Sequence, residues 1–184
     1  NGLGTAQKSH GLFPTDLIIA GMPQAVQEYI DTKPGFFVPV SGFELAVKMG
    51  LGLFLIQQFK NQNDIFNQRK LDGFCVEKTT GEWFIYYNDE KGYRRINNTI
   101  FHEIGYIVLD HTEDSQLAEK EVKFFAKYAL VPPVLVHKLN LNNPADIADI
   151  FEVSFEAACY AYSYYKKWLK YGNFYGYAQQ TVDK

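Results

Sequence analysis

Phe101-His102-Glu103-Ile104-Gly105-Tyr106 is the stretch of this chain whose residue types and spacing come nearest to doing chemistry. In H-E-x-x-H on a helix, two His four apart share one face and grip Zn²⁺. The Glu beside the first His then acts as general base on the metal-bound water. His102 and Glu103 fill the first two positions, and Tyr106 stands where the second His would be. A phenol ligates strongly only after losing a proton whose reference pKa is about 10, and holding it ionised at pH 7 costs about 4 kcal/mol. Its side chain is also longer than an imidazole. Three readings are open: a metal site, a metal site that has lost a ligand, or a chance spacing.

A third ligand is to be sought on the next helical segment, about residues 115–130, which Pro132-Pro133 ends. Its apolar stripe is Ala118, Val122, Phe125 and Ala129, and Glu121 falls on that side, one turn before Phe125. A carboxylate aimed at a core is costly unless it meets a cation or a metal. Glu119 instead sits four before Lys123 and has an exposed partner at hand. Glu121 is therefore the better third ligand, unless it caps a loop or pairs with Arg94 or Arg95. His111 closes the His102 helix, where it can cap the C-terminus or line the site as an auxiliary ligand. His10 and His137 read as ordinary surface or packing residues, with His137 in a connecting segment after the prolines. Asp110, Glu113 and Asp114 read as a solvated turn, and Cys75 and Cys159 as small core residues.

The elements that must position these groups follow from periodicity. Apolar residues at helical spacing predict a helix over about 14–30, broken at Lys33-Pro34-Gly35, and a short one over 41–49 with Gly50 at its C-cap. Residues 51–59 are compact and apolar, and a polar loop rich in Asn and Gln follows at 61–69. Residues 73–77 and 83–87, joined by Lys78-Thr79-Thr80-Gly81-Glu82, read as an antiparallel hairpin. Three strands are expected in all. From Asn97 onward the chain reads as helical, with Asn97 or Asn98 as a cap for the helix that carries His102. That helix is apolar on more than one side (Ile100, Phe101, Ile104, Val108, Leu109), so it is expected between layers. Gly105 inside it costs about 1 kcal/mol relative to Ala, which suggests close approach by another element. Residues 146–151 and 154–171 form a last helical pair.

Composition narrows the classes. A chain of 184 residues is one domain, or one domain with appendages, and 18 Lys plus Arg against 21 Asp plus Glu give no bias toward nucleic acid or anionic membrane. The two cysteines fit no metal or redox spacing. No apolar run approaches the roughly 20 residues of a membrane span, and a cytoplasmic protein is the default. A helix-turn-helix outline over 146–162 carries Asp146, Asp149, Glu152 and Glu156 and no base until Lys166. Direct nucleic-acid binding, which needs cations near the recognition helix, is therefore not expected. Tyrosines and other aromatics crowd 160–177, as they do at interfaces or on a helix packed onto a core.

The run from Arg94-Arg95-Ile96-Asn97-Asn98-Thr99-Ile100-Phe101 to His102-Glu103-Ile104-Gly105, with Leu109 and His111 beyond it, resembles the metal helix of the ImmA/IrrE-type zinc metallopeptidases. Glu121-Val122-Lys123-Phe124-Phe125-Ala126 followed by Leu130-Val131-Pro132 is similar to that family's next segment, as are residues 146–154 and the entry from Val38-Pro39-Val40 to Leu53. The resemblance spans about residues 14–170. It implies an α+β, zincin-like fold with a small sheet of about three strands packed against the active-site helix and further helices. The domain would run over 14–171, with a flexible segment at 1–13 and an aromatic tail at 172–184. By the same resemblance His102 is a zinc ligand, Glu103 the base and Glu121 the third ligand, with Tyr106 in the second ligand's place. It further implies a regulatory protein that acts on another protein, such as the helix-turn-helix repressor of a mobile element, by zinc-activated water. The alternative is an inactive pseudo-protease that binds its partner without cutting it.

Overall fold

The computed structural model describes residues 38–58, 71–111 and 115–171. The expected helix over 14–30, the polar loop at 61–69, the turn residues Glu113 and Asp114 and the tail at 172–184 lie outside them. Helix α1 (Gly42–Lys48) opens on Ser41, whose hydroxyl accepts from the Glu44 N–H at 3.3 Å, and Gly50, with φ +72°, follows its last turn. Strand β1 (Gly52–Leu55) then ends in a 3₁₀ turn over Ile56–Gln58. Strands β2 (Gly73–Glu77) and β3 (Trp83–Tyr87) form the expected hairpin, and Gly81 takes φ +81° in its loop, a conformation that favours glycine. The sheet order is β1-β3-β2, with β2 antiparallel and β1 parallel to the central strand. Leu53 and Cys75 both lie in register with Ile85, which is fully buried. These three residues form a row across the sheet on one face, because side chains alternate along each strand.

Helix α2 (Tyr93–Val108) packs on that face, and it starts earlier than its sequence suggests. The expected cap at Asn97 or Asn98 is not used; Gly92 is the N-cap and Asn97 lies inside the helix. The reason is tertiary. The Asn97 amide oxygen accepts from the Gly42 N–H at 2.7 Å, and its NH₂ donates to the Val40 carbonyl at 2.9 Å, both in buried surroundings. Asn97 thus clamps α1 onto α2. Asn97→Ala deletes both bonds and is expected to lower unfolding free energy by about 2 kcal/mol. Urea unfolding checks this, and an unchanged midpoint would mean that water restores both bonds.

Helix α3 (Gln116–Leu130) begins at Ser115, whose hydroxyl accepts from the Ala118 N–H at 3.0 Å. It buries Ala118, Val122, Phe125 and Ala129, the stripe read from its sequence. Pro132-Pro133 ends α3 but also starts α4 (Pro133–Lys138), since Pro is suited to a helix's first position. The segment expected to be a mere connection is therefore helical. His137 packs there, with Nδ1 3.0 Å from the Tyr165 hydroxyl and its ring 5.7 Å from Trp168. Helices α5 (Pro144–Ile150) and α6 (Phe155–Tyr171) complete the described chain.

Much of the aromatic content of α6 serves packing. Tyr165 is buried, and Tyr164 meets Phe124 and Tyr128 of α3 edge-on at 5.2 and 5.7 Å. Tyr160 is exposed. Cys159, expected in the core, is also exposed. Ala158 occupies the buried stripe, and the next residue is turned away from it by about 100°. No helix among the described residues is long and apolar enough to cross a membrane.

Candidate active site

Helix α2 buries Ile100, Phe101 and Ile104, which leaves its polar groups on two flanks. Glu103 points into the contact with the sheet and is only 7% exposed. Its carboxyl accepts a hydrogen bond from the Cys75 thiol of β2. Burial pushes Glu103 up to about 7; the Cys75 bonds work against this and the charge of Glu119 adds to it. Burial, followed by the charge of Glu103 and their hydrogen bond, pushes the Cys75 thiol up to about 12. Cys75 therefore stays a protonated donor to the carboxylate.

His102 and Tyr106, four residues apart, share the flank that faces α3. The residue that meets them is Glu119. Its Oε2 lies 3.3 Å from His102 Nε2 and accepts from the Tyr106 hydroxyl at 2.8 Å. Its Oε1 lies 2.8 Å from the Lys123 ammonium, the i,i+4 partner read from the sequence. Burial raises the Glu119 carboxyl, but the hydrogen bonds from Lys123 and Tyr106 and the charge of His102 outweigh it and hold the group below its usual value. Burial, aided by the charge of Lys123, also holds His102 below the ordinary imidazole value, against the pull of Glu119. Tyr106→Phe removes one hydrogen bond to a half-exposed carboxylate. It is expected to cost about 1 kcal/mol in urea unfolding, and no change would mean that the bond does not persist in solution.

Glu121, the third ligand expected from the sequence, is not brought to His102. Its Oε2 lies 2.9 Å from His111 Nε2, although the two are not aligned as a hydrogen bond. His111 reaches it through a C-terminal motif of α2. Asp110 takes φ 54°, and the N–H groups of Asp110 and His111 bond to the carbonyls of Ile107 and Tyr106. His111 thus caps α2 through its backbone while its ring folds back toward Tyr106, 6.3 Å between centroids. Arg95, another partner considered for Glu121, bonds Asp72 at 2.9 Å instead. Residues 119 and 121 flank the buried stripe of α3 on opposite sides. Helical phase alone therefore did not favour Glu119, and neither the Glu119–His102 contact nor the Cys75–Glu103 contact carries a local signal.

Residues 56–163 match the model of the IrrE N-terminal-like domain, Peptidase_M78. The chain belongs to this family. Comparison with curated proteins returns no match. Membership of the IrrE N-terminal-like family makes this a metallopeptidase-like protein with a zincin-like α+β fold, and the mixed three-stranded sheet packed on α2 agrees with it.

Whether the zinc that the family implies suits these residues is decided by the donors. A catalytic zinc takes three protein ligands and leaves one position open. Among the described residues no three His, Cys, Asp or Glu side chains converge. His102 and Glu119 converge, but the third group there is a phenol that uses its proton to bond Glu119. The set does not fit a three-ligand zinc.

Proposed function

We propose that this member of the IrrE N-terminal-like family is a cytoplasmic regulator that recognises a segment of another protein, of the helix-turn-helix repressor class, and binds it without hydrolysis. Neither nucleic acid nor membrane is its partner in this reading. The supporting observation is the 2.8 Å hydrogen bond from Tyr106 to Glu119, which puts a protonated phenol where the H-E-x-x-H signature has an imidazole. His102 and Tyr106, whose rings meet edge to face at 5.3 Å and are each partly exposed, are the groups on this flank that such a segment would meet.

The test is incubation of the full chain with a purified helix-turn-helix repressor from the same genome, with and without EDTA. Binding by calorimetry, with the repressor intact by mass spectrometry in both conditions, supports the reading. Cleavage that EDTA stops would return the protein to peptide hydrolysis. One observation favours that second reading: Glu103 is retained, buried and pushed up to about 7, which suits a general base at neutral pH.

A further inference from the structure

The polar corner between α2 and α3 has the dimensions of part of a metal site. Bonds of about 2.0–2.1 Å to a tetrahedral zinc put neighbouring ligand atoms about 3.3 Å apart. His102 Nε2 and Glu119 Oε2 are separated by 3.3 Å. The other imidazole–carboxylate pair, His111 and Glu121, is closer at 2.9 Å. Tyr106, one turn beyond His102, puts its hydroxyl 2.8 Å from the same Glu119 oxygen, a hydrogen-bond separation. Lys123 holds the other oxygen at 2.8 Å. Glu119 thus accepts a hydrogen bond from a phenol and pairs with an ammonium where a zinc ligand would face a divalent charge.

We propose that Glu119, not Glu121, is the acidic corner of a three-cornered metal site, and that Tyr106 has closed this site with a hydrogen bond. The native chain neutralises Glu119 with Lys123 and the phenol and does not retain zinc. Tyr106→His alone opens the site, because the introduced imidazole stands on the same helical face as His102, one turn on, and leaves Glu119 Oε2 free. The two corners already in place are held by the α2–α3 packing, so the variant needs no rearrangement of the backbone. This inference concerns the site alone and stands or falls independently of any partner.

The test is to load the full native chain and its variants with zinc chloride, remove the excess by gel filtration and measure zinc by elemental mass spectrometry. The native chain is expected to carry only traces, and Tyr106→His about one zinc per chain. Adding Glu119→Gln to Tyr106→His returns zinc to traces, whereas adding Glu121→Gln leaves it in place. EDTA lowers the thermal midpoint of zinc-loaded Tyr106→His and leaves that of the native chain unchanged. Should Tyr106→His fail to fold, Tyr106→Cys carries the same expectation with a thiolate at that corner. Stoichiometric zinc on the native chain overturns the proposal. So does an absence of zinc from the folded Tyr106 variants, or zinc on Tyr106→His that disappears with Glu121→Gln.

Discussion

At pH 8, Glu103→Gln is expected to be more stable than the native chain, by as much as about 3 kcal/mol. Burial against the sheet is the main cause. It raises the carboxyl from 4.5 to about 7, with the Cys75 hydrogen bonds opposing the shift and the charge of Glu119 adding to it. Between these two values the folded chain holds a proton that the unfolded chain has released. The stability from Glu103 is therefore fully present below pH 4.5, falls as pH rises and is lost as pH passes through about 7. Gln is neutral throughout and removes that dependence. Urea unfolding of both proteins at pH 5 and pH 8 checks it, with the difference between them isolating Glu103 from other titrating groups. Parallel pH profiles would sink the account. Cys75→Ala removes the thiol donor and keeps the backbone one, so it removes part of what opposes the shift and should deepen the loss of stability at pH 8. Holding a carboxylate in this buried contact works against stability.

Gly105→Leu is expected to destabilise the chain by about 3 kcal/mol, through overpacking of the α2–α3 contact. A Cβ at Gly105 would stand 3.0 Å from Phe125 Cδ1, 3.1 Å from Val122 Cγ1 and 3.5 Å from Val122 Cα. Val122 and Phe125 are both fully buried and cannot turn aside. A methyl group asks them to shift by a few tenths of an ångström, and the better helix propensity of Ala, worth about 1 kcal/mol, offsets that. Gly105→Ala is therefore expected to lie within about 1 kcal/mol of the native chain. The branches of Leu have no such room and must push α3 outward. Urea midpoints for the two variants check the contrast, and a Leu variant as stable as the native chain would show that the helices separate freely. The same displacement would draw Glu119 away from His102, so this glycine also sets the spacing at the polar corner.

How much could be read in advance depended on how local the deciding interaction was. The hairpin was legible because its loop closes on itself: the Lys78 N–H bonds to the Glu82 carbonyl and Gly81 takes its turn within five residues of sequence. The face of α3 was legible because Ala118, Val122, Phe125 and Ala129 repeat at the helical period. Asn97 was misread because Asn is a good cap in isolation, and nothing near it in sequence reveals Gly42 and Val40. The parallel pairing of β1 with β3 was equally hidden, since the two strands are separated by β2 and a long connection.

By itself the sequence determined that His102 and Tyr106 share a helical face, that Glu103 lies on another flank and that a phenol stands in the second ligand's place. These are consequences of residue order and the 3.6-residue turn. It pointed to Glu121 on the following helix as their partner, and Glu119 is the residue that meets them. Only the tertiary structure decided between the two. Glu119 and Glu121 lie on opposite flanks of the same buried stripe, and the choice rests on how α3 is rotated against α2. That rotation is set by the close seating of Val122 and Phe125 on Gly105, a packing fit that residue order does not specify.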